Sequence, residues 1–160
     1  MGAFKIILVP TDFGPSADLA LNRAVELARG TSGRIVLLHA CMPPQVALDN
    51  GLLVTTDVLG TIIDAGSEAL ARRVAVHGPS GVPITAKVVV QDPRTAILDV
   101  AAEENADLIV MGTHGRSGLP RWLLGSTAES VIRASSIPVL TVRAPKEDAK
   151  AEPTAPRAKA

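Results

Sequence analysis

Five apolar runs recur along the chain, and the segments between them carry apolar residues at helical spacing. Residues 5–9 form the first run, closed by Pro10, which predicts a buried strand. Over 15–29 the residues Ala17, Ala20, Leu21, Ala24 and Ala28 fall on one helical face, and Gly30 and Gly33 end the pattern. A second strand is predicted over 34–40. The stretch 42–56 is irregular, with Pro43-Pro44 and Asn50-Gly51 as breakers, and reads as a surface loop. A long helix over 57–77 carries Leu59, Ile62, Ile63, Gly66, Leu70 and Val74 on one face. A third strand follows over 82–90. Asp92-Pro93 opens a third helix, with the proline tolerated in its first turn, running to about Glu104. Residues 107–111 predict a fourth strand, 112–125 a glycine-rich loop, 126–134 a short helix and 137–142 a fifth strand.

Strands alternating with helices predict an α/β fold, an open five-stranded parallel sheet with helices on both faces. A single domain over 1–143 accounts for all of these elements. Beyond it Lys, Glu, Ala and Pro dominate, so 144–160 is expected to be a disordered tail.

Composition narrows the function classes. Only 2% of the residues are aromatic, so Val, Ile, Leu and Ala must fill the core, as suits a parallel sheet buried on both faces. The same scarcity removes the stacking platforms that single-stranded nucleic acid needs. Sixteen acidic residues balance sixteen basic ones, so no net charge draws the chain to nucleic acid or to a membrane. The one cysteine, Cys41, can form no intramolecular disulfide and reads as a small buried residue at a strand end. The sequence shows no signal peptide and no membrane-spanning run, which makes the cytoplasm the expected location.

Ligands of open parallel sheets sit beyond the carboxyl ends of the strands, where the winding reverses. Two strand ends look chemically prepared. The first carries Pro10-Thr11-Asp12. The fourth carries Gly112-Thr113-His114-Gly115, and its loop returns as Gly125-Ser126-Thr127 at a helix start. Glycines let backbone N–H groups approach a phosphate, and a helix N-terminus supplies more of them with a favourable dipole. Ser126 with Glu129 also fits an S-x-x-E capping box, which would explain the serine without a ligand. Asp12 suits a turn or helix cap as well as a ribose hydroxyl or an adenine amine. His39 in a strand reads as structural, Glu103 and Glu104 as a solvated helix face. Arg116 and Arg121 are rim candidates for phosphate, and Trp122 packs the loop or faces a partner.

The blocks Val9 to Phe13, Leu37 to Ala40, Leu108 to Gly115, Leu124 to Thr127 and Ile137 to Val142 resemble the signature segments of universal stress proteins. The resemblance covers the chain to about Arg143, and the intact glycine loop matches the nucleotide-binding kind. It implies a Rossmann-like fold of the adenine-nucleotide α-hydrolase type. It also implies that Pro10, Thr11 and Asp12 border the adenosine, with Ala40 meeting the adenine edge through its backbone. Met111 and Gly112 would line the nucleoside, and Gly115, Gly125, Ser126 and Thr127 would hold the phosphates. Ala40 departs from the family's usual valine, so some packing is lost there. The implied ligand is ATP, with Mg or Mn on its phosphates, and AMP or cyclic AMP are the alternatives. A homodimer through the edge strand 137–142 is implied too.

The sequence has no Walker A lysine motif and no acid–base pair beside the glycine loop. The leading expectation is therefore an ATP-binding regulatory protein of the stress response that acts on a protein partner. At most, slow hydrolysis or autophosphorylation at Ser117, Ser126 or Thr127 would accompany binding. The alternatives are a scaffold that uses no nucleotide and an enzyme that handles adenylates.

Overall fold

The computed structural model describes residues 4–42, 47–48, 51–52, 56–113 and 124–144. The elements are β1 (Ile6–Pro10), α1 (Pro15–Thr31), β2 (Arg34–Cys41), β3 (Ala47–Leu48), β4 (Gly51–Leu52), α2 (Thr56–His77), β5 (Ile84–Val90), α3 (Pro93–Glu103), β6 (Leu108–Gly112), α4 (Ser126–Ala134) and β7 (Val139–Val142). Among the described residues, five strands make one parallel sheet in the order β5-β2-β1-β6-β7. The chain winds outward from β1 to β5, then returns to the other side of β1 at β6. The winding therefore reverses between β1 and β6.

Period-two alternation divides the core between the two faces of the sheet. Ile7, Val9, Ile35 and Leu37 point to one face, where Ala20, Leu21, Ala24 and Ala28 of α1 and Leu70 of α2 cover them. Leu8, Val36, Leu38, Ile109 and Met111 point to the other, under Ile97 and Val100 of α3 and Val131 of α4. Both faces are buried, so β1 and β6 read as unbroken apolar runs rather than alternating ones. No helix among the described residues is long and apolar enough to cross a membrane.

Several sequence expectations change in detail. The segment expected to be one loop over 42–56 holds a two-residue antiparallel ladder, β3 with β4. Helix α1 does not stop at Gly30 but continues to Thr31, and Ser32, not a glycine, takes the left-handed cap at φ 51°. Gly33 answers a different demand. A Cβ there would lie 2.9 Å from the Phe4 carbonyl oxygen and 3.0 Å from that of Lys5. Ile63, expected on the packing face of α2, is 38% exposed, while Gly66, Ala69 and Leu70 are the buried positions among its described side chains. Glu104 is not on a solvated face: it bonds Lys87 at 2.6 Å and Arg34 at 3.0 Å, and the two cations hold its carboxyl below the ordinary glutamate range. The fifth strand begins at Val139 rather than Ile137 and lies at the sheet edge as expected. The tail expected over 144–160 lies outside the described residues apart from Ala144.

Candidate functional site

A cleft opens where the winding reverses, at the carboxyl ends of β1 and β6. Its lining includes Pro10, Thr11, Asp12, Ala40, Met111, Gly112, Gly125, Ser126 and Thr127. Those are all the expected site residues except Gly115, which lies outside the described residues together with His114, Arg116, Ser117, Arg121 and Trp122. Sequence reasoning missed the apolar wall. Ala17, Leu38, Pro93 and Ile97 also line the cleft, along with Thr113 and Ala128.

Helices α1, α3 and α4 all bring residues near their N-termini to this space, and the starts of α3 and α4 differ chemically. At α3 the Asp92 carboxylate caps the helix, accepting from the backbone N–H and the hydroxyl of Thr95 at 3.1 Å each. Pro93, which has no N–H, and Ile97 of this helix line the cleft, so this end presents an apolar face. At α4 the N-cap is Gly125, with φ −62° and ψ 146°, and among the described residues no side chain caps the helix. The first intrahelical bond runs from the Glu129 N–H to the Gly125 carbonyl at 2.9 Å. The N–H groups of Ser126, Thr127 and Ala128 precede it and have no acceptor within the helix. All three residues line the cleft. The capping box expected of Ser126 is thus not formed, because Ser126 is the first helical residue rather than the cap. Glu129 instead bonds Arg133 at 2.9 Å.

The loop after β1 holds Asp12 in a fixed turn. Its Oδ1 accepts the Gly14 N–H at 2.9 Å. Among the described residues no hydrogen bond falls on Oδ2, which leaves an acceptor on the cleft wall. Both readings of Asp12, turn former and ligand contact, are therefore compatible within one side chain. Phe13 sits at φ 68°, a left-handed conformation that costs a bulky residue on the order of 1–3 kcal/mol. Its N–H donates to Thr11 Oγ1 at 3.0 Å. His39 is structural, as expected: its Nδ1 lies 2.9 Å from the Thr11 carbonyl oxygen, so that nitrogen carries the proton and donates.

Gly112 serves packing as much as the cleft. A Cβ there would come 2.8 Å from Ser16 Cβ and 3.0 Å from the Ala17 backbone nitrogen. The glycine lets the first turn of α1 close over the end of β6. Thr113 then ties both sides of the cleft, donating its N–H to Val142 and accepting the Gly125 N–H at 2.8 Å. Cys41, half-buried beside Ala40, has its thiol pushed up by burial, which keeps it protonated and inert. Among the described residues no three His, Cys, Asp or Glu side chains converge to hold a metal ion.

The profile of the universal stress protein family matches residues 3–143. Universal stress protein MJ0531 of Methanocaldococcus jannaschii is 32% identical over 148 residues, covering 91% of this chain and 85% of its own. The solved structure of MJ0577 superposes with a TM-score of 0.77 at 27% identity, covering 89% of this chain and 98% of that one. A universal stress protein solved in complex with cAMP superposes with a TM-score of 0.63 at 29% identity, covering 88% of this chain and 98% of that one. The fold with its reversal point, the site blocks and these matches agree, and the chain belongs to the universal stress protein family.

Proposed function

We propose that this protein binds ATP in the cleft between β1 and β6 and acts as a nucleotide-responsive regulator in the stress response, in the cytoplasm. The observation that carries the reading is the chemical division of the cleft. One end offers the N–H groups at the start of α4, which have no acceptor within the helix, the chemistry of a phosphate cradle. The other offers the apolar wall of Leu38, Ala40, Pro93 and Ile97, which suits a purine ring. Asp12 also lines the cleft, with an acceptor for a ribose hydroxyl or the adenine amine. The relative bound to cAMP supports an adenine nucleotide as the ligand class. A magnesium or manganese ion on the phosphates would arrive with the nucleotide.

Calorimetric titration of nucleotide-stripped protein with ATP, AMP and cyclic AMP tests this. The expected outcome is saturable binding of ATP at one site per chain. A folded protein that takes up none of the three would overturn the reading and favour a scaffold that works without nucleotide.

The regulator works as a homodimer in this reading. Among the described residues strand β7 ends the sheet with an unpaired edge, and Leu140 on it is 41% exposed, with Ile132 of α4 at 44%. Pairing the same strand of two copies would satisfy the edge and bury both residues about a two-fold axis. Sedimentation equilibrium at micromolar concentration should give twice the chain mass, and a monomer there would remove this part of the proposal.

A further inference from the structure

We propose that Arg73, which does not line the cleft, is the positioning residue for Asp12 and so sets nucleotide affinity from α2. The inference rests on the ATP-binding reading above. Asp12 stands between two residues whose backbones are held from outside the loop. Thr11 is fixed on one side: its N–H donates to the Leu38 carbonyl at 2.8 Å, and its own carbonyl accepts from His39 at 2.9 Å. Phe13 is fixed on the other: its ring packs against the core under α1 and α2, and Arg73 holds its backbone carbonyl.

The guanidinium makes three kinds of contact there. One N–H donates to the Phe13 carbonyl oxygen at 3.0 Å. The charge lies 4.7 Å from the centre of the Phe13 ring, within cation–π range. Asp18, in the first turn of α1, accepts from Nε at 2.6 Å and from the second nitrogen at 3.3 Å, which fixes the plane of the fork. His39 meets the other side of the ring at 4.3 Å between centroids. Phe13 is thus gripped between α2 and β2 while its backbone stays left-handed at φ 68°. A phenylalanine leaves that conformation when nothing holds it. Release would reorient the peptide between Asp12 and Gly14 and break the Gly14 N–H bond that aims the carboxylate.

Arg73 lies about 60 positions along the chain from Phe13. Its touch on the nucleotide is therefore indirect, through one loop residue. The binding equilibrium becomes coupled to the seat of α2, and the coupling is reciprocal: a ligand that engages Asp12 also holds Arg73 in place.

A double-mutant cycle with ATP as the probe separates positioning from general support. Arg73→Met is expected to weaken ATP about tenfold, the effect of losing one charge-assisted hydrogen-bond arrangement. Asp12→Asn is expected to lose at least as much. The double variant should bind no more than about twofold more weakly than Asp12→Asn alone, because Arg73 has nothing left to position. Wild-type affinity in Arg73→Met overturns the inference, and so do losses that multiply in the double variant. Should Arg73→Met fail to fold, Arg73→Lys takes its place. Lysine keeps the charge but cannot reach the Phe13 carbonyl and both Asp18 oxygens at once, so it must show the same non-additive loss with Asp12→Asn. Absence of ATP binding in the wild type would overturn the ATP reading and this inference together, whereas ATP binding with an unaffected Arg73→Met overturns this one alone.

Discussion

Ser126→Asp is expected to weaken ATP binding about a hundredfold while leaving adenosine binding and the thermal midpoint almost unchanged. Ser126 is exposed at the first position of α4, and its side chain makes no capping bond. A carboxylate in a first turn favours a helix by roughly 0.3–1 kcal/mol, so the fold should not suffer. The same charge would stand beside the phosphates. Two unit charges about 4 Å apart repel by about 4 kcal/mol at an effective dielectric constant of 20, and solvent exposure reduces that. A remaining penalty of about 2.7 kcal/mol corresponds to a hundredfold. Adenosine has no phosphate and is indifferent to the change. Titrations of ATP, AMP and adenosine into both proteins would check the pattern. An equal loss for adenosine would mean that the substitution disturbs the cleft as a whole. Undiminished ATP binding would mean that the phosphates do not lie at α4.

The alternation of elements was legible because each announces itself locally. Apolar runs such as 6–9 and 108–111 cannot be anything but strands covered on both faces once helices separate them. The site blocks were legible for the same reason, since Pro10-Thr11-Asp12 and Gly125-Ser126-Thr127 each sit at an element boundary.

What the sequence hid depends on distance along the chain. Nothing near Arg73 signals that it reaches Phe13 and Asp18. Pro93 reads as an ordinary first-turn residue of a helix, nothing in the pattern singles out Ile97, and only the sheet order brings that helix beside Ala40. In the sequence Gly33 reads as a helix stop and Gly112 as a ligand liner. Their shared reason, close backbone approach by another element, is a tertiary fact. Ser126 is ambiguous for the opposite cause: a one-residue shift of the helix start decides whether its side chain caps the helix or begins it.

Ile109→Ala is expected to lower stability by about 3.5 kcal/mol, the middle of the range for truncating a fully buried branched side chain. Ile109 is 0% exposed in β6, opposite Leu8 of β1 on one side and Val139 of β7 on the other. It packs in the cluster with Val36, Ile97 and Val131, so the void would open between strand and helices that cannot collapse together. For a domain of this size, the loss corresponds to a fall in midpoint of about 10 °C. Met111, two residues further on the same face, lines the cleft, which places the ligand directly above the damage. ATP at about a hundredfold above its dissociation constant should therefore return about 2.7 kcal/mol by mass action, most of what was lost. The same ATP concentration added to an Ile109→Ala/Ser126→Asp double variant should return only about 0.4 kcal/mol, because it would then merely equal the weakened dissociation constant. Thermal denaturation of both variants with and without ATP measures the difference. A midpoint shift of equal size in the two would show that ATP stabilises the protein from somewhere other than the start of α4. A single variant that loses less than about 2 °C would show that the α3/α4 face of the sheet is not the closed core described above.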